Sequence, residues 1–316
     1  MKAEEGRVPI VEIIYLAVIF YILTAYIAMP VILDATVLGR KESLDSAFDQ
    51  PSGTPIPSQT ALVSTKDNVT LSGWLFPVTA PRAWIIMLPD PHRNRSGLLP
   101  VIRWLTKSGY GVVAMDPRAR GESGGKYMTG GLLEAQDLLA TIQQLKSQLK
   151  GQIPIIAYGI SMSADAALIA ASQSDAIDAV IADSPYLRFS DWIQFEAQQR
   201  GWPHLPGLYA VARLWAPVIT GKSEAGSNSD LTSMVKSIRV PVLFLKGEDD
   251  PLLTGNDLAA LRSEIPTSTT AVTFPKGSSN TLYTLNMNTY QNAVNDFLIG
   301  LLPKPEPQET PEINEK

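Results

Sequence analysis

The sequence predicts an α/β protein: a mostly parallel sheet with helices on both faces and a small helical cap, preceded by one transmembrane helix. Three observations carry that reading. Short apolar runs such as "AWIIML" and "VPVLFLKG" alternate with segments of helical period. Strands separated by helices build parallel sheets, and covered strand faces need no polar alternation. A polar, tryptophan-bearing insertion interrupts this order between residues 185 and 236, and an uncharged run stands ahead of everything at residues 13–33.

That first run, "IIYLAVIFYILTAYIAMPVIL", spans the roughly 30 Å hydrocarbon core of a bilayer at about 1.5 Å per residue. A buried core helix rarely lacks a polar face over such a length. A cleavable signal peptide is the rival reading, but "YIA" is a poor small-x-small site and the run is long for an h-region. The segment is read as an uncleaved anchor that holds a single-pass protein in the lipid bilayer through residues 13–33, with residues 1–12 ahead of it. Lys2 and Arg7 precede it and Arg40 and Lys41 follow. That near-tie leans toward an extracytoplasmic domain. Residues 34–59, which include "DQPSGTPIPSQ", read as a linker. The Pro- and Glu-rich tail, residues 303–316, reads as disordered. The folded body is then residues 60–302.

Along the body, "ALVSTKDNVTLSGWLF" reads as a hairpin turning at "KDN". "AWIIML" is a short buried strand, "LLPVIRWLTKSGY" a helix ending at Gly109, and "GVVAMD" a strand. A long helix follows, with Leu138, Ile142, Leu145 and Leu149 on one face. "IPIIAYG" is a strand, Ser163 to Ala171 a small-residue helix, and "IDAVIAD" a strand. After the insertion come a strand in "VPVLFLKG", a helix in "NDLAALRSEI", a strand in "TAVTF", and a last helix striped by Tyr290, Val294, Phe297 and Leu301.

Composition narrows the function classes. The 316 residues are 45% hydrophobic and 18% charged, with a net charge of −5, which suits one medium-sized domain with appendages. There is no basic run or basic-aromatic patch to bind nucleic acid. The absence of cysteine removes disulfides, thiolate metal sites and a cysteine nucleophile. Two distant histidines, His92 and His204, do not make a metal cluster. No metal and no cofactor are expected.

The chemistry-bearing stretch is "IPIIAYGISMSADAAL", which puts Gly159-Ile160-Ser161-Met162-Ser163 between a strand and a helix. A serine at the apex of a sharp strand-to-helix turn needs small neighbours two residues away on either side, and Gly159 and Ser163 are small. The alternative is an ordinary turn with a serine N-cap. With this stretch, "GYGVVAMDPRARGESGG" at 109–125, "TGGLLEAQDLLATI" at 129–142 and "VPVLFLKGEDDPLLT" at 240–254, the body resembles the α/β-hydrolase family, closest to its serine aminopeptidase-like and esterase-like members with a helical cap. The resemblance implies the α/β-hydrolase fold, Ser161 as nucleophile, Asp250 as triad acid and the Met162 N–H as one oxyanion donor.

The resemblance also exposes two gaps. The family histidine belongs between the last strand and the last helix, where this chain reads "KGSSN", so Ser279 stands at the base position. A serine hydroxyl cannot act as a general base at neutral pH. The second oxyanion donor belongs to the loop "LPDPH", where Pro91 has no N–H to give. A one-residue shift would make Asp90 or His92 the donor. His92 is also the alternative base, while His204, Lys246 and Lys276 are further basic groups near the site. Loss of a triad base costs about a millionfold in a serine protease, and loss of one oxyanion donor about 2.7–4 kcal/mol. The expectation is a catalytically impaired hydrolase homologue used in binding or assembly, its protein partner unknown. The alternative is an active ester or peptide hydrolase with a displaced base. Trp192, Phe195, Trp202, Tyr209 and Trp215 crowd the cap, either as its core or as walls for a small apolar or acyl ligand.

Overall fold

The computed structural model describes residues 10–39, 59–149, 151–203, 207–221, 230–279 and 281–302. Eight strands form one sheet: β1 (Gln59–Ser64), β2 (Thr70–Phe76), β3 (Trp84–Leu88), β4 (Gly111–Met115), β5 (Ile155–Ile160), β6 (Ala179–Asp183), β7 (Val242–Gly247) and β8 (Thr269–Phe274). Their spatial order is β1-β2-β4-β3-β5-β6-β7-β8. The β1–β2 and β2–β4 pairs are antiparallel and every other pair is parallel. The first hairpin turns at "KDN" as expected. Asn68 adopts φ 61° there, a left-handed conformation that asparagine tolerates better than most residues.

The helices are α1 (Ile10–Leu23), α2 (Met29–Leu38), α3 (Leu99–Lys107), α4 (Leu132–Gln148), α5 (Met162–Gln173), α6 (Phe189–Gln199), α7 (Leu208–Thr220), α8 (Leu231–Met234), α9 (Gly255–Ser263), α10 (Leu282–Leu285) and α11 (Met287–Leu301). They cover both sheet faces, as continuously apolar strands require. Ile86 packs on one side with Leu138 and Ile142 of α4 and Leu168 of α5. Its neighbours Ile85 and Met87 point the other way, toward Ile102 of α3 and Tyr290 and Val294 of α11. In α11 the fully buried stripe is Tyr290, Val294 and Leu298, while Phe297 and Leu301 are half-buried flanks.

The N-terminal helix differs from its sequence reading. It does not stop at Leu33 to become linker but runs on to Leu38, giving one apolar helix from Ile10 to Leu38 that is long enough to cross a membrane. A π-helical turn, Thr24–Ala28, separates α1 from α2 just ahead of Pro30. Proline lacks an N–H and crowds the carbonyl four residues back, and a widened turn relieves both. The two halves then part ways. No residue of α1 is buried, whereas Leu33, Val37 and Leu38 of α2 are fully buried. They share a third apolar cluster with Met128, Met162, Tyr186 and the cap residues Phe189, Trp192, Ile193, Ala212 and Ala216. Burial of this face outweighs the linker-like composition that follows it. His204, and the linker beyond Gly39, lie outside the described residues.

Candidate active site

The elbow is built as its spacing demands. Ser161 follows β5, precedes α5, and holds φ 58° and ψ −127°, a conformation that L-residues adopt only under constraint. Its N–H donates to the Asp183 carbonyl at 2.8 Å, which clips the turn to β6. Gly159 has no alternative, since a Cβ there would stand 1.9 Å from the Ser163 carbonyl oxygen. The Ser163 hydroxyl donates to the Pro89 carbonyl at 2.6 Å and binds the elbow to the loop after β3. Met162 is the first residue of α5, so the helix itself makes no use of its N–H.

Asp250 follows β7 at the same carboxyl edge and is 8% exposed. Its Oδ1 accepts from the N–H groups of Leu252 at 3.0 Å and Leu253 at 3.3 Å. Its Oδ2 is buried and has no hydrogen-bond partner among the described residues. Burial raises this carboxyl above its ordinary range, against the Leu252 N–H, the nearby Ser184 hydroxyl, the Leu253 N–H and the Lys246 charge, which lower it, although among the described residues the Ser184 hydroxyl makes no hydrogen bond of normal geometry.

Ser279 lies in the loop after β8, and its hydroxyl donates to Asp90 Oδ2 at 3.2 Å. Asp90 is 3% exposed, and its Oδ1 accepts the His92 N–H at 2.8 Å. In the loop expected to supply a second oxyanion donor, the available groups are already engaged. Pro91 has no donor and offers its carbonyl to Arg120 Nε at 2.7 Å, and the His92 N–H is taken. The His92 ring reaches into the cap, where Nε2 pairs with Glu196 Oε1 at 2.6 Å beside Trp192. Lys246 is buried, and its Nζ donates to the Gly247 carbonyl at 2.5 Å. Lys276 is exposed.

Two features escaped the sequence reading. The first is Asp183 at the end of β6. Its Oδ2 accepts from the Tyr290 hydroxyl at 2.6 Å, and Tyr290 in turn meets the Tyr158 hydroxyl. Burial pushes the Asp183 carboxyl up to about 8; the Tyr290 and Ser184 hydroxyls oppose this, and the nearby charges of Asp250 and Asp90 add to it. Asp183 is therefore held protonated at neutral pH, and its own charge does not oppose a developing oxyanion at the elbow. An aspartate closing an apolar strand, as in "IDAVIAD", was the available signal. The second feature is the roof. The α2 residues Leu33, Val37 and Leu38 pack with Met162, and Ser161 is 4% exposed. The Leu38 carbonyl accepts from Met128 N–H at 3.0 Å, Arg120 Nη1 donates to the Gly39 carbonyl at 2.9 Å, and Arg200 Nη1 donates to the Thr36 carbonyl at 3.2 Å. Composition assigned residues 34–38 of this helix to the linker and gave no sign that they pack on the cap.

Residues 27–225, more than half of the chain, match the X-Pro dipeptidyl-peptidase (S15 family) profile. The chain belongs to this S15 family. The matched span holds α2, Ser161 and most of the cap, and ends before Asp250 and Ser279. Among curated proteins, the uncharacterized protein YqkD of Bacillus subtilis is 30% identical over 196 residues, 60% of this chain. The polyketide transferase GrgF of a Penicillium species is 26% identical over 136 residues, 42% of this chain. The matches span 62% and 46% of the lengths of those two relatives. Among solved structures, an esterase of Pyrococcus furiosus superposes with a TM-score of 0.67 at 25% identity, covering 80% of this chain and 96% of the esterase. The GrgF structure gives 0.61 at 20% identity, covering 78% and 99%, which speaks for the fold alone. This S15-family chain is therefore an α/β-hydrolase-fold protein of the esterase and peptidase group, with an N-terminal apolar helix of membrane-spanning or signal-sequence character.

Proposed function

We propose that this protein is a membrane-anchored member of the family whose hydrolytic centre is impaired, and that it acts by binding or assembly. The observation that supports this best is the state of Asp250 and Ser279. The acid's Oδ2, where an oriented imidazole would donate, has no partner among the described residues, and Ser279 gives its single proton to Asp90. An anchor reading fits α1, whose apolar residues are exposed along its whole length. An extracytoplasmic body and a small apolar or acyl ligand against the aromatic cap belong to the same proposal. One observation favours the other reading, a hydrolase with a displaced base: the strained Ser161 turn is retained.

The test is a reconstruction. Wild type should hydrolyse short activated esters near background and react poorly with small serine-directed phosphonates. Ser279→His puts an imidazole in the loop after β8 and, if the ring pairs with Asp250 Oδ2, should increase phosphonate labelling more than turnover. Adding Pro91→Gly should then raise turnover by about 10²–10³-fold, the effect of one oxyanion donor. Leu38→Ala thins the roof without touching the base. If that change alone makes Ser161 react, closure rather than the missing base sets the low reactivity. Rapid wild-type turnover that Ser161→Ala and His92→Ala both abolish would establish the displaced-base enzyme instead.

A further inference from the structure

Helix α7 of the cap has two unlike faces. Leu208, Ala212 and Ala216 are buried, and the two alanines let α2 approach closely with Leu33 and Val37 in the same cluster. The opposite face is exposed yet apolar: Leu214 and Val218 are each 69% exposed, and Ala210 lies beside them one turn earlier. Arg213 is the only charged residue in the helix, and it is half-buried. An amphipathic helix in water turns its charged side outward, and this one does the reverse.

The position of α7 says what covers that face. It packs along α2 and reaches the π-helical turn of the long apolar helix, with Gly207 beside the Tyr26 ring. The outer side of that same helix shows Ile27 and Ile32, continuing the wholly exposed apolar surface of α1. Trp202, Tyr209 and Trp215, half-buried around α7, are the residue types that settle at the boundary between lipid and water. We infer that α7 is an interfacial helix whose Leu214–Val218 face enters the lipid bilayer beside α1, so that the cap lies on the membrane. This rests on the anchoring reading above. At 13 residues α7 is about 20 Å long, and a helix of this kind sits about 5–10 Å into the boundary between headgroups and acyl chains.

The chain has no cysteine, so single cysteines report cleanly. Full-length Phe20→Cys, Leu214→Cys, Val218→Cys and Lys236→Cys variants are labelled with an environment-sensitive fluorophore and reconstituted in phosphatidylcholine vesicles. Each is quenched in turn by brominated acyl chains and by aqueous iodide. The expected result is acyl-chain quenching with a blue shift at positions 20, 214 and 218, and iodide quenching alone at 236. Quenching by acyl chains at 20 but by iodide alone at 214 and 218 overturns the interfacial helix and leaves the anchor standing. Positions 214 and 218 shielded from both quenchers would put a second protein surface there, which also overturns the proposal. Loss of acyl-chain quenching at position 20 removes the anchor, and the interfacial helix with it.

Discussion

The elbow and the loop after β8 lie at the same edge of the sheet, yet they meet the demands of serine chemistry unequally. At the elbow every backbone requirement survives: a positive φ at Ser161, a glycine at 159 where no side chain fits, and a clip from Ser161 N–H to β6. In the loop after β8 the chain turns at Gly277 with φ 100°, and on the proposed reading the position of the base is held by Ser279, whose hydroxyl bonds Asp90. On that proposal, backbone form and side-chain chemistry have come apart. A turn is fixed by packing that involves many residues, so it persists when one side chain changes. A base is a single group, and nothing in the packing replaces it. Retention of the elbow therefore follows from the fold and does not by itself establish an activity.

The largest expected effect tests how rigidly the elbow is held. Gly159→Ala would place a methyl group 1.9 Å from a backbone oxygen, and no flexible side chain is there to yield. It should cost about 3 kcal/mol or more, read as a lowered midpoint in chemical unfolding of the detergent-solubilised chain. Gly277→Ala meets the Thr281 hydroxyl at 2.9 Å and carries positive-φ strain, and it should cost closer to about 1 kcal/mol. Equal costs at the two glycines would erase the contrast between a packed turn and a looser one.

The fold was largely legible because it is written in local pattern. Continuous apolar strands, helical periods and the hairpin signal at "KDN" each state their element within a few residues. Ser161, Asp250 and Ser279 were legible as positions, since they follow strands whose order the family resemblance supplies. Their partners were not. That Ser279 would bond Asp90, 189 residues away, or that His92 would pair with Glu196, 104 residues away, depends on how loops from separate strands meet at one edge. No periodicity encodes that meeting. The helix runs past Leu33, where the sequence was read as linker, for a related reason. Asp34 and Thr36 look like the start of a polar linker, and only the partners of Leu33, Val37 and Leu38 in the cap explain why the helix continues.

Asp183 joins the two regions: its carbonyl receives the elbow N–H, and its carboxyl receives Tyr290 on the helix that follows the base loop. Burial raises the folded-state carboxyl from 3.8 to about 8. The folded chain therefore keeps a proton that the unfolded chain releases between those values. Its contribution to stability is fully present below about pH 4 and declines as pH rises, with no further loss above about pH 8. Between pH 5 and 7 this one group should remove at most about 1.4 kcal/mol per pH unit. Asp183→Asn keeps an acceptor for the Tyr290 hydroxyl and removes the titration. Its unfolding midpoint should fall less steeply over that range than the wild-type midpoint. Parallel profiles would mean that Asp183 is already ionised in the fold and adds its negative charge beside the elbow.

The smallest expected effect isolates the strain itself. A non-glycine residue at φ 58° and ψ −127° carries on the order of 1–3 kcal/mol. Glycine adopts positive φ freely but loses about 0.5–1 kcal/mol more conformational entropy on folding. Ser161→Gly should therefore stabilise the protein by about 1 kcal/mol relative to Ser161→Ala, because alanine keeps the strain and removes only the hydroxyl. Ser279→Gly and Ser279→Ala form the control pair in the other region, and glycine should gain no such advantage there. If Ser161→Gly is no more stable than Ser161→Ala, the elbow stores no strain and its retention needs no packing to enforce it. If it is more stable, the protein maintains a costly turn at the one position where a nucleophile would need it. The displaced-base reading then keeps its strongest support until the Ser279→His and His92→Ala kinetics decide between the two.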